Sequence, residues 1–174
     1  MGQIGNMIAD ASSVGLRNAK KIFDGIPTDR FARMASPGGT LVTSNHPAFI
    51  VGHLSLYPVK VLQLLGKDSS SASAPNSYEA LFSRDQKCVD DVDGQLYPTK
   101  VDLLSVFQST HDAALAALRN CDDEQLLSPC PVDSPLRTLC PTLGSLLMFY
   151  MTGHITSHLG QISTWRRMEG MPPA

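Results

Sequence analysis

Apolar residues recur with a period near 3.6 along four long segments of the chain, and no segment alternates convincingly with period two. A helix turns every third or fourth side chain to one face and a strand every second, so the pattern predicts an all-α fold. The first segment runs from about Gln3 to Asp24, with Ile4, Met7, Ile8, Ala11, Val14, Ala19, Ile22 and Phe23 as its stripe, and Gly25 and Pro27 stop it. A short helical turn is expected around Thr28 to Met34, and "SPGG" at Ser36 to Gly39 makes a loop.

Ser44, Asn45 and Pro47 announce the second long helix through cap chemistry and the preference of proline for a first turn. It should reach about Leu65 and end at Gly66. Pro58 lies inside it, lacking an amide and crowding the carbonyl of Leu54, which predicts a kink or bulge. The third begins at "YPTKVD", with Thr99 as cap, and continues through Arg119. Proline-rich Ser128 to Thr142 reads as loop, and the fourth helix runs from about Leu143 to Glu169.

Residues 67–97 form a long connection between the second and third helices. Its "SSSASAPNS", Ser69 to Ser77, cannot build a core, and a short helix follows at Tyr78 to Ser83. A connection of that length can run the length of a bundle and leave its flanking helices parallel. Four long helices around one core give a four-helix bundle, and 174 residues with 43% hydrophobic residues suit one domain over residues 1–174.

A formal charge of −2 gives no footprint for nucleic acid, and Lys20-Lys21 and Arg166-Arg167 are isolated basic pairs, read as solvated helix faces. "MGQIGNMIAD" lacks a signal-peptide pattern, and no apolar run approaches the roughly 20 residues needed to span a bilayer, so a cytoplasmic protein with no membrane partner is expected. Cys88, Cys121, Cys130 and Cys140 show no C-x-x-C spacing and read as reduced thiols without a catalytic role. "DDVDGQ", Asp90 to Gln95, lacks the closing glutamate of a calcium loop and reads as a solvated turn.

The histidines carry the chemistry. On the fourth helix Leu147, Met151, His154, His158, Ile162 and Trp165 form the inward stripe, so two imidazoles stand on one face, one turn apart. Buried without partners, each ring would forfeit roughly 1–3 kcal/mol. The i, i+4 spacing lets two ring nitrogens converge on one ion at about 2.0–2.1 Å. A third ligand must come from elsewhere. His53 shares the inward stripe of the second helix with Phe49, Ile50, Tyr57 and Val61, and His111 shares that of the third with Leu104, Phe107, Leu115 and Leu118. Spacing ranks the two almost equally. His46 precedes His53 by about 10.5 Å along the axis, too far for easy shared coordination, and reads as a helix-start residue.

"NHPAFIVGHL", Asn45 to Leu54, followed by "HITSHLGQISTWRRMEGMPP", His154 to Pro173, resembles the DinB-like superfamily of bacterial four-helix-bundle metalloproteins. The matching features are a histidine in a G-H-L context on the second helix, H-x-x-x-H-x-G-Q on the fourth, and the W-R-R-x-x-G-x-P-P ending. The resemblance implies a divalent metal, zinc or nickel, on His53, His154 and His158, with His111 outside that set. It also implies a small-molecule substrate, a low-molecular-weight thiol among the candidates, and a homodimer, as in many relatives. Characterised relatives include thiol-using transferases and a thiol-dependent isomerase, so a thiol-dependent S-transferase in stress or detoxification is expected. A non-catalytic metal-binding or stress-associated bundle protein and a metal-hydroxide hydrolase are the alternatives. The spacing of the fourth helix also matches H-E-x-x-H metalloproteases, but Ile155 stands where their glutamate base would be, which argues against that route of peptide hydrolysis.

Overall fold

Helix boundaries fall where caps and breakers set them. The computed structural model describes residues 2–72 and 74–174, without the side chain of Ser71. Met1, the first residue of "MGQIGNMIAD", and Ser73, in the expected serine-rich connection, lie outside the described residues. Helix α1 spans Gln3–Phe23. Its first amides, of Gln3 and Ile4, donate to the Asp123 carboxylate at 3.0 and 2.9 Å, a cap supplied from a distant part of the chain. Its buried face is Gly5, Ile8, Ala9, Ser12, Ala19 and Phe23. Met7 and Val14, expected on the stripe, are exposed, because each lies about 100–120° around the helix from Ile8.

Helix α2 spans Pro47–Leu64, with Pro47 in its first turn, and continues through Pro58 as one α-helix. Gly66 in the left-handed region (φ 66°) ends it: the Lys67 amide donates to the Leu62 carbonyl at 2.9 Å and the Gly66 amide to Gln63 at 3.0 Å. Every residue from Pro47 to Leu56 is buried. A helix enclosed on all sides needs no polar face, which is why its sequence is so evenly apolar. Helix α3, Ser77–Phe82, covers one side of it. Helix α4 spans Lys100–Arg119, and the Thr99 hydroxyl accepts the Asp102 amide at 3.2 Å, as the sequence predicts.

A short helix, α5 at Asp123–Leu127, follows α4, and another, α6 at Leu136–Leu139, interrupts the region expected to be loop. The fourth long segment is composite. Helix α7, Leu143–Met148, starts with a capping box between Thr142 and Ser145. A π-helical turn, Phe149–Gly153, follows, and then helix α8, His154–Met168. Among the described residues there is no strand, only an isolated bridge between Pro129 and Thr142, so the fold is all-α.

The core forms two clusters at different heights. One joins Phe23 of α1, Phe49, Ile50 and Leu54 of α2, Leu103 and Phe107 of α4, and Ile155, Leu159, Ile162 and Trp165 of α8. The other joins Ile8 of α1, Val61 at the far end of α2, Ala114 and Leu118 of α4, and Leu143 to Met151. Thus α2 and α4 run in the same direction, as the long connection allows, and α1 and the α7–α8 rod run the opposite way. Tyr57 packs against both clusters, which sets the height at which the histidines of α2 and α8 meet.

The Asp90–Asp91 turn is not solvated as expected. Asp90 accepts from the Arg33 guanidinium at 2.9 and 3.1 Å and from the Met34 amide at 2.7 Å. Asp91 is buried, and its carboxylate accepts the amides of Gln95, Leu96 and Tyr97. The Asp90 carboxylate ties the long connection to the segment after α1, and that of Asp91 folds the connection onto itself. The four cysteines are free thiols. No helix among the described residues is long and apolar enough to cross a membrane.

Candidate metal centre

A straight α-helix from Leu143 would carry His154 and His158 on the buried stripe. The π-helical turn inserts one residue, and the stripe passes instead through Leu147, Met151, Ile155, Leu159 and Ile162. His154 and His158 are left on its shoulder, half-buried. His53, on the enclosed part of α2, is buried and faces them.

The three rings converge through one nitrogen each. His154 Nε2 lies 3.3 Å from His53 Nε2 and 3.1 Å from His158 Nε2, and all three ligand atoms fall within 4.8 Å of one another. Two nitrogens on one ion at about 2.0–2.1 Å are separated by about 2.8–3.4 Å, from right-angled to tetrahedral geometry. Both short separations lie inside that range.

Proton positions make the same point. His53 Nδ1–H donates to the Phe82 carbonyl at 2.7 Å, which leaves its Nε2 as a bare lone pair aimed at His154. An Nε2–H on His154 could serve only one of its two neighbours, His53 Nε2 and His158 Nε2, whereas a cation between the three Nε2 atoms satisfies all of them. His154 Nδ1 is buried without a partner in either case. Burial, helped by the neighbouring His158 and His53, pushes His154 down to about 3. His53 and His158 are also lowered, chiefly by burial. All three are therefore neutral donors at pH 7.

Aromatic rings wall the centre. Tyr57, one turn after His53, lies 4.1 Å from the His154 ring and 5.0 Å from Tyr150, and Phe49 stacks on His53 at 6.4 Å. Lys60 Nζ sits over Tyr57 at 5.1 Å. On the other side His158 Nδ1 lies 3.3 Å from Gln161 Oε1, and Gln161 lines a cleft of about 500 Å³ with Val42, Ser44, Asn45, Thr164 and Met168.

No protein-family model, curated protein or solved structure matches this chain. The geometry alone therefore separates the histidines. His53 joins the pair on α8. His111 stands apart: it is buried in the core, donates Nδ1–H to the Phe107 carbonyl at 2.7 Å, and has no partner for Nε2. His46 is the N-cap of α2; its Nδ1 accepts the Phe49 amide at 3.2 Å and its Nε2–H donates to the Val89 carbonyl at 3.0 Å. Sequence reasoning gave Tyr57 only a core position and Gln161 only a place in the H-x-G-Q motif. Their spacings, i+4 from His53 and i+3 from His158, were the available signals.

The backbone at Gly52 fixes Phe82, and through it His53. A Cβ at Gly52 would lie 2.5 Å from the Phe82 ring, which is fully buried and has nowhere to move. Gly52→Ala is expected to lower unfolding free energy by about 1–3 kcal/mol in a urea titration. It should also weaken metal binding, because the Phe82 carbonyl moves with its ring. Unchanged stability would show that Phe82 packs less tightly on α2 than described.

Proposed function

We propose that the chain is a DinB-like four-helix-bundle protein in which His53, His154 and His158 hold one divalent ion, zinc or nickel. We further propose that it acts as a thiol-dependent S-transferase on a small-molecule substrate. The observation that carries this reading is the convergence of three neutral Nε2 atoms from two helices at 3.1 and 3.3 Å. The directions of α1, α2, α4 and the α7–α8 rod support the bundle, and the position of His111 outside the cluster supports a site with an open coordination position rather than a closed structural one. Bound there, the ion supplies Lewis acidity that lowers the pKa of a thiol or water beside the three nitrogens.

The chain's own groups fit thiol chemistry better than metalloprotease chemistry. Ile155, in the place of a glutamate base, is buried under the histidines and offers no proton acceptor. Tyr57, Tyr150 and Phe149 form an apolar wall that restricts water on one side of the rings. The Lys60 ammonium over Tyr57 favours an anionic group such as a thiolate approaching along that wall.

Cobalt-substituted protein tests the reading. Millimolar low-molecular-weight thiol should perturb its visible spectrum through sulfur coordination, with a pH midpoint below the free thiol value of about 8.5. A spectrum indifferent to thiol, together with ester hydrolysis that His154→Ala abolishes, would replace transfer with metal-hydroxide chemistry. A closed site that responds to neither would leave a non-catalytic metal-binding protein.

A further inference from the structure

The three histidines are not held alike. His53 is oriented by a main-chain acceptor, the Phe82 carbonyl, which the packing of α3 on α2 keeps in place. His154 has no partner at its outer nitrogen. His158 has a side-chain partner, Gln161 Oε1, 3.3 Å from its Nδ1. The same oxygen accepts from Asn45 Nδ2 at 3.3 Å, and Asn45 belongs to the segment leading into α2.

We infer that Gln161 is the positioning residue of the centre: its side-chain oxygen, itself oriented by Asn45, holds the proton of His158 on Nδ1 and turns the Nε2 lone pair toward His53 and His154. The inference rests on the three-histidine reading and deepens it.

The argument is one of tautomers. A free neutral imidazole in water carries its proton on either nitrogen, and ligation through Nε2 requires it on Nδ1. An amide oxygen can only accept, so Gln161 Oε1 opposite Nδ1 selects the required form. It also limits rotation of a half-exposed ring that the core does not grip: of the residues around it on α8, Ile155 and Leu159 are buried but His158 is not. Asn45 Nδ2 bonds the same oxygen, which favours the carboxamide orientation in which Oε1 rather than Nε2 faces the ring. Gln161 thus joins the start of α2 to a ligand on α8, and it lines the cleft next to the centre. A group occupying that cleft would meet the partner of a ligand before meeting the ion. Ligand-orienting partners of this kind change metal affinity by about 10–100-fold, and a long, exposed bond belongs at the lower end.

Two variants decide it. Gln161→Leu keeps the helix and removes the acceptor; Gln161→Glu keeps an acceptor oxygen at the same reach. In metal-free protein, ¹⁵N-correlated spectra of the imidazole rings should place His158 in the Nδ1–H form in the parent, in a mixture in Gln161→Leu, and again in the Nδ1–H form in Gln161→Glu. Zinc affinity by chelator competition should fall about tenfold in Gln161→Leu and return to at least the parent value in Gln161→Glu. The inference is overturned if Gln161→Leu changes neither the tautomer nor the affinity, or if Gln161→Glu behaves like Gln161→Leu. If the parent itself binds zinc no better than His154→Ala, the metal reading fails, and the tautomer spectra still decide whether Gln161 orients His158.

Discussion

His154→Ala is expected to lower the affinity for a divalent ion by more than about 100-fold, beyond the range of ligand-orienting partners, because it removes the ring that both other nitrogens approach. His53→Ala and His158→Ala do the same. His46→Ala leaves affinity within a few-fold of the parent but costs about 2 kcal/mol of stability, since it removes the α2 cap and the bond to Val89. Chelator competition and urea unfolding separate the two effects. In parent protein carrying its ion, chelation lowers the melting temperature; a free-ion excess of about 1,000-fold over Kd corresponds to roughly 4 kcal/mol. In His154→Ala the chelator changes nothing. Metal lost from His46→Ala and kept by His154→Ala would reverse the ligand assignment.

Acid is expected to destabilise the protein through its core histidine as well as through the three-histidine cluster. Burial pushes His111 down to about 4 from an ordinary value near 6.5. Above pH 6.5 the ring is neutral in both states and stability is unaffected. Between 6.5 and 4 the unfolded chain takes up a proton that the folded core refuses, so stability falls with pH and the loss reaches about 3 kcal/mol at pH 4. The metal-free triad adds to the loss in the same direction, because its rings are lowered too. His111→Leu should remove one proton from the acid slope measured by urea unfolding at several pH values. At pH 7 its effect is the balance between the lost bond to the Phe107 carbonyl, worth about 1 kcal/mol, and the deletion of an Nε2 that has no partner. Zinc affinity should be unchanged. A slope identical to the parent's would mean that His111 is protonated equally in both states.

The long helices were legible because their ends carry local chemistry: Thr99 caps α4, Gly66 closes α2, and Pro47 opens it. The length of the connection allowed a parallel course for α2 and α4 without requiring it, and packing of the two core clusters decides it. The pair His154 and His158 was legible from spacing, but the choice between His53 and His111 was not. Both sit on apolar stripes, and only packing reveals that one faces α8 while the other is sealed among core side chains. Short α5 and α6 lie among polar and proline-rich residues, whose periodicity is too brief to register. Asp90 and Asp91 read as a wet turn because their partners, Arg33, Met34 and the amides of residues 95–97, declare themselves only in three dimensions.

The π-helical turn at Phe149–Gly153 was invisible for a different reason: it changes the phase of the helix and not its composition. Its consequence is kinetic. Had the rod run straight, the two histidines of α8 would lie beneath the surface, and an ion there would be released only when the core opened. With the phase advanced by one residue, Ile155 and Leu159 take the interior positions and the histidines keep a side toward solvent. Exchange of an ion bound there would be governed by making and breaking coordination bonds, on a clock independent of global unfolding. Such a scaffold would stay long-lived while its centre loaded and unloaded quickly.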